Sequence, residues 1–436
     1  MLLIYTPEIT NRITYIFEFI FSDIIGLNYE ITDNRDLYLK HKGPRVSYGK
    51  INFKGELNFK ASELLFEKNV NDQNISCFEY EGVPAFFKVY GECVLPFDPF
   101  AASFYLVSRY EEYLPFTKDQ FGRFSASQSL AFQKGFLDRP VINIWGRIIK
   151  NILILHFPEL VFIKKRYKFI PTYDIDSAYS YKHKGFLRTI GGFYRALKNN
   201  DKEDFNYRAQ VLLKRKKDPF DNFDLMYSYQ KKYKFRPKYF FLVGDYDEYD
   251  KNISIEVRSF RELIKQVADY AEVGIHPSFA SNESFEKLKR EKMSLYKLIN
   301  RDIKASRQHF LKVSFPQTYQ RLVEMEIESD FTMGYASEIG FRAGTCSSFY
   351  FYDLDYERKT NLKVYPFAVM DVSLNLYLKL KPAEAIEKTK QLIDEVKALD
   401  GLMITLWHNQ NLVEHKEWKG WRKVYETILN YAGENK

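Results

Sequence analysis

The chain has 436 residues, 45% hydrophobic and 28% charged, enough to bury a large core and to build two or three domains. Its net charge of +8 comes from lysines spread among acids and aromatics with no nucleic-acid-binding motif, which argues against a nucleic-acid partner. Three scattered cysteines, Cys77, Cys93 and Cys346, exclude a disulfide framework and make poor metal ligands.

In chain order, the opening run Met1 to Tyr5 is soon broken by Pro7, Glu8 and Arg12, and the apolar stretch from Ile13 to Leu27 is interrupted by Glu18 and Asp23. Neither a signal peptide nor a transmembrane segment is expected from it, which places the protein in the cytoplasm. Short strands are expected at Arg45 to Tyr48 and Ile51 to Phe53, and Asp98-Pro99-Phe100 opens a helix running through Ala101 to Tyr110. Arg109-Tyr110-Glu111-Glu112-Tyr113-Leu114-Pro115 and a polar loop ending at Asp138-Arg139-Pro140 lead to a helix from Val141 to Leu155. Residues 1–165 carry no constellation with catalytic spacing and read as a smaller mixed α/β accessory domain.

Beyond residue 165 strand and helix alternate. Strands are expected at Phe169 to Tyr173, Pro237 to Val243, Ala271 to His276, Ala305 to Phe310, Ile327 to Gly334, Leu362 to Met370 and Leu402 to His408. Helices fall between most of them, at Ile255 to Asp269, Ser284 to Arg301, Thr318 to Glu324 and Ala383 to Leu399. Such βα repeats imply a parallel sheet, and their number suggests a distorted (β/α)7 barrel over 166–436 rather than an open sheet. The compact basic run Lys214-Arg215-Lys216-Lys217 reads as a solvated loop able to touch an anionic surface or substrate.

Where the first of these strands ends stand Asp174 and Asp176 in Thr172-Tyr173-Asp174-Ile175-Asp176. Residues i and i+2 of a strand face the same side, so the two anions need a metal or an arginine between them. Ordinary turn capping is the bland alternative for the pair taken alone. Other strand ends supply partners: His276 in Gly274-Ile275-His276-Pro277-Ser278, His309 and Arg307 in Ser306 to Phe310, Arg342 in Gly340 to Gly344, Asp371 after Met370, and His408 after Trp407. Chemistry gathers at the carboxyl ends of strands in barrels of this kind.

Taken in order, these segments resemble the five motifs of the polysaccharide deacetylases, carbohydrate esterase family four, over roughly residues 165 to 430. The stretches Asp98-Pro99-Phe100-Ala101-Ala102 and Ser108 to Tyr113 also look like the accessory region of a bacterial subgroup. The resemblance implies a metal-dependent hydrolase that removes an N-acetyl group from an amino sugar or glycan precursor. Asp174 would be the general base, Asp176 and His276 metal ligands, and His408 the general acid oriented by Asp371. The Phe310 N–H would meet the oxyanion. Arg307 or Arg342 would hold the base, with both arginines lining the pocket.

One departure stands out: the second motif's other histidine, four residues on, is Ala280 here. The third ligand is then left to His309 from the neighbouring strand end, or to Ser281, Asn282 or waters, with zinc the foremost divalent metal and cobalt, nickel or manganese as alternatives. Two further readings remain open at this point. One is a metal-free, non-catalytic carbohydrate-binding protein on the same barrel, and the other an amidohydrolase acting on a small amide.

Overall fold

The computed structural model describes residues 1–434, which fall into two compact units. The first comprises Met1–Lys168, Val313–Ala368 and Gln391–Met403, and the second Phe169–Lys312, Val369–Lys390 and the chain from Ile404 onward. The chain first passes between the units after Lys168, and residues 313–368 belong to the first unit.

The first unit carries a parallel sheet of β1 (Leu2–Tyr5), β2 (Tyr29–Thr32), β3 (Arg45–Gly49) and β4 (Leu57–Lys60), in the order β2-β1-β3-β4. Every residue of β1 is buried, as a strand covered on both faces must be, which is why it reads as an unbroken apolar run. Ile51 to Phe53 is not a strand: the chain turns at Gly55, with φ at 81°, and pairing resumes at β4. Helix α1 (Pro99–Val107) is wholly buried, and the carboxylate of Asp98 caps it by accepting from the N–H groups of Phe100 and Ala101 at 3.0 Å each. It stops before Tyr110 because Arg109 takes a left-handed backbone, φ 56°. A second helix, α2, spans Val141–His156.

The expected strand from Leu362 to Met370 is two strands, Arg358–Val364 and Val369–Met370. Pro366 falls in the gap, where it has no N–H to give a ladder. All three cysteines are free thiols.

In the second unit the strands are β5 (Lys168–Ile175), β6 (Lys238–Phe241), β7 (Glu272–Ile275), β8 (Ala305–Ser306), β9 (Val369–Met370) and β10 (Leu402–His408). They lie side by side in the order β8-β7-β6-β5-β10-β9. Strands β5 to β8 pair in parallel, with Asp174 beside Phe240, Phe240 beside Gly274 and Ser306 beside Ile275, and so do β9 and β10. Among the described residues β8 and β9 share no ladder, so within this unit the expected barrel is a parallel sheet. The edge strand β9 is two residues long, too short to carry a closing seam. The helices Arg258–Tyr270 and Phe285–Ile299 connect β6 to β7 and β7 to β8. No described helix is long and apolar enough to cross a membrane.

Candidate active site

Every residue of the site described next, from Asp174 to His408, belongs to the second unit. Asp174 closes β5 from within and Asp176 follows its end, so the period of the strand turns both carboxylates to one side. Asp174 is buried, and its Oδ1 accepts from Arg307 Nη1 at 2.8 Å. Arg307 is itself fully buried, with its guanidinium over the Phe240 ring at 4.7 Å. Gly274 makes that stack possible, since a Cβ there would stand 2.7 Å from the Phe240 ring.

Three imidazoles surround the second carboxylate, each held at Nδ1 and turning Nε2 inward. The Nδ1–H of His276 donates to the Arg307 carbonyl, that of His309 to Asp250 Oδ1 at 2.7 Å, and that of His408 to Asp371 Oδ1 at 2.8 Å. A carbonyl or carboxylate only accepts, so the held nitrogen carries the proton and Nε2 keeps a lone pair in the neutral ring. His276 Nε2 lies 3.2 Å and His309 Nε2 3.8 Å from Asp176 Oδ1, and His408 Nε2 lies 3.8 Å from Asp176 Oδ2. His276 Nε2 is also 3.7 Å from Asp174 Oδ2.

The electrostatics follow from this crowding. Burial works against ionising Asp176, yet His309, His276 and His408 together hold its carboxyl well below the usual carboxylate range. Burial likewise opposes charge on His276, and the two aspartates outweigh it and raise the imidazolium pKa. For His408 burial is again opposed, chiefly by Asp371, and the pKa is pushed up to about 10.

Asp176 Oδ1 is buried without a hydrogen-bond partner. Two lone pairs, one on it and one on His276 Nε2, face each other across 3.2 Å, an arrangement that calls for a proton or a cation between them. Ligand atoms of Asp176, His276 and His309 all lie within 4.8 Å of one another. A carboxylate with two neutral imidazoles suits a zinc-like divalent ion that leaves coordination positions open.

Asp250 was not singled out in the sequence. It is 1% exposed, and besides His309 it accepts from the backbone N–H of Phe279 at 2.9 Å and of Ala280 at 3.3 Å. Burial resists its ionisation, while His309 and these N–H groups bring the pKa down. One carboxylate thus ties His309 to the turn in which Ala280 replaces the expected histidine. Its only trace in sequence is the acidic run Asp245-Tyr246-Asp247-Glu248-Tyr249-Asp250 after β6, in which four carboxylates compete and only Asp250 is buried.

Asp371 accepts from the His408 backbone N–H at 2.8 Å and from Asn411 Nδ2 at 2.9 Å, so both its oxygens are engaged while one orients the His408 ring. Phe310 has a left-handed backbone, φ 57° and ψ 11°, a strain on the order of 1–3 kcal/mol for a residue with a Cβ. Its ring packs on Phe279 at 5.5 Å and on His309 at 4.6 Å.

Arg342 requires a correction. The structure pairs Arg307 with Asp174, whereas Arg342 belongs to the first unit and spends its donors there. Its Nε and Nη2 go to Glu112 at 3.0 and 2.6 Å, and its Nη1 to the Gly334 carbonyl at 3.0 Å. The glycine-containing loop that suggested an anion cradle serves a buried ion pair instead.

A family model described as a family of unknown function, DUF7033, matches residues 2–158. No curated protein matches the chain. Among solved structures, a candidate polysaccharide deacetylase from Mycobacterium smegmatis is similar at 12% identity and TM-score 0.41, over 62% of this chain and 84% of that one. An allantoinase is similar at 10% identity and TM-score 0.37, over 61% and 83%. A carbohydrate esterase family four pseudoenzyme from Bacillus anthracis is similar at 11% identity and TM-score 0.27, over 48% and 56%. These likenesses leave the chemistry to be argued from the side chains themselves.

Proposed function

We propose that this protein is a metal-dependent hydrolase that removes the N-acetyl group of an amino sugar or glycan precursor. The observation that carries the reading is the unpartnered Asp176 Oδ1, faced by imidazole nitrogens whose far sides are all anchored. Asp176, His276 and His309 would hold the ion, zinc foremost and cobalt, nickel or manganese as alternatives. A divalent ion bound there lowers the pKa of a water and polarises the amide carbonyl.

The chain's own groups would carry the rest. Asp174, held in place by its hydrogen bond from Arg307, takes the proton of the attacking water. The Phe310 N–H, at the strained turn after His309, donates to the oxygen on which negative charge develops. His408 carries a proton at neutral pH because Asp371 favours its charged form, and Nε2 delivers that proton to the departing amine. Asp371 keeps the ring in place throughout.

Incubating the purified chain with N-acetylated amino sugars, free and in nucleotide-linked or lipid-linked form, with each of the four metals in turn, tests this directly. Acetate release that needs the metal and disappears in Asp174→Asn is expected. Release from none of these substrates with any metal would end the deacetylase reading.

A further inference from the structure

The loop leaving Asp176 leads into a helical hairpin, α3 (Gly185–Lys198) and α4 (Lys202–Leu212). Its inner side is packed. Ala196 and Val211 are buried, the Phe193 and Phe205 rings meet at 4.9 Å, and Tyr181 donates to Asp204 at 2.7 Å. The base is fixed to the rim of the active site. Asp218 accepts from the N–H groups of Ser180, Tyr181 and Lys182 at 2.7, 2.9 and 3.0 Å, and Asn409, directly after His408, donates to the carbonyls of Ser177 and Phe220 at 3.1 and 2.8 Å.

The outer side of α3 is apolar and open. Phe186, Leu187, Ile190, Tyr194 and Leu197 are 77%, 83%, 49%, 66% and 66% exposed. At about 100° per residue the five share one arc of about 100° on the helix. Scattered exposed apolar residues need no explanation, but a contiguous face of large ones marks a contact surface. Cations border it: Lys184 stands at the helix start, Arg195 and Lys198 follow along one flank, Arg188 is held by the carbonyls of Lys251 and Asn252, and α3 contains no acid at all. At the far end of α4, Leu213 is 63% exposed and runs directly into Lys214-Arg215-Lys216-Lys217.

We propose that this hairpin docks the protein on an anionic bilayer surface, with α3 lying in the plane of the interface. The charge pattern selects this occupant. A large apolar arc edged by lysine and arginine, with no acid on the helix, matches the headgroup boundary, where the apolar ridge enters the acyl edge and the cations meet lipid phosphates. Long lysine and arginine stems bordering such a face can lie along apolar surface while their heads reach charge. Docking of this kind would hold the rim of the active site at the membrane, and it needs no turnover to be observed.

Co-sedimentation of the full chain with vesicles tests it, using phosphatidylcholine alone and phosphatidylcholine mixed with phosphatidylglycerol. Binding to the mixed vesicles that exceeds binding to the neutral ones by at least tenfold, and that falls as salt is raised, is expected. The double variant Leu187→Glu with Tyr194→Glu should lose at least tenfold in that binding with an unchanged melting temperature, since both side chains are exposed. Asp176→Ala should bind the vesicles as the wild type does, which separates docking from the hydrolase chemistry. The proposal is overturned if the wild type does not pellet with the mixed vesicles, or if the double variant pellets equally well. It is overturned as well if the same substitutions split a dimer seen by light scattering while no vesicle binding is found.

Discussion

In the first unit Arg109, Arg342, Glu111 and Glu112 are buried together, and in the second Asp174, Arg307 and three histidines are, around a half-buried Asp176. Both clusters carry charge out of water, at a cost that must be met by partners. In the first the partners are complete: Glu112 receives both arginines, at 2.8 Å from Arg109 Nε and 2.6 Å from Arg342 Nη2, and burial is overcome so that its carboxyl stays below the usual range. In the second Arg307 answers Asp174, but Asp176 keeps an oxygen with no hydrogen bond. Burial of charge alone therefore does not separate a structural cluster from a reactive one. Saturation does: a closed set of ion pairs holds the fold, and an unfilled one invites a ligand.

The largest expected effect falls on the open cluster. Asp174→Asn should lower kcat/KM for acetate release by about 10²–10⁴-fold in the folded protein, and should also lower the melting temperature, because the amide cannot take a proton and leaves the buried Arg307 without its counter-ion. A rate within tenfold of wild type would remove Asp174 from the mechanism.

Next comes the closed cluster. Glu112→Ala leaves the buried Arg342 without a counter-ion and Arg109 with Glu111 alone, and should cost about 3–5 kcal/mol in denaturant unfolding, with metal affinity of the folded protein unchanged. If metal binding fell first, the two clusters would not be independent.

Smaller in size is the support of the proposed third ligand, His309. Asp250→Ala releases His309 Nδ1 and should weaken metal binding by about 10–100-fold in a competition titration against a chelator. An unchanged affinity would mean that His309 needs no holding.

The smallest effect is a displacement along the pH axis. His408 is raised to about 10 against its burial, mainly by Asp371, and it must be protonated to act as the acid, so activity declines as pH rises through that pKa. Asp371→Asn removes the anion and lowers the pKa, so the alkaline limb of kcat should move to lower pH. A limb that stays in place or moves up would assign the acid to another group.

Much of this centre was legible in the sequence because strand periodicity fixes where side chains point. Asp174, Asp176, His276 and His408 could be placed at strand ends from the pattern of apolar and polar residues. Asp250 could not, since burial is what distinguishes it from Asp245, Asp247 and Glu248, and burial is set by residues distant in the chain. Arg342 misled for the same reason: a glycine-containing loop looks the same whether its arginine meets a substrate or Glu112, 230 residues earlier. The barrel was inferred from a count of βα repeats, but closure depends on the edge strands, and β9 is shorter than its apolar run suggested.

The most direct measurement is the metal content of the reconstituted chain by plasma mass spectrometry, wild type beside His309→Ala and Asp176→Ala. With Asp176, His276 and His309 as the ligands, the wild type holds about one divalent ion per chain and both variants lose most of it. A wild type without metal, or a His309→Ala variant that keeps the full amount, would contradict this assignment of the site.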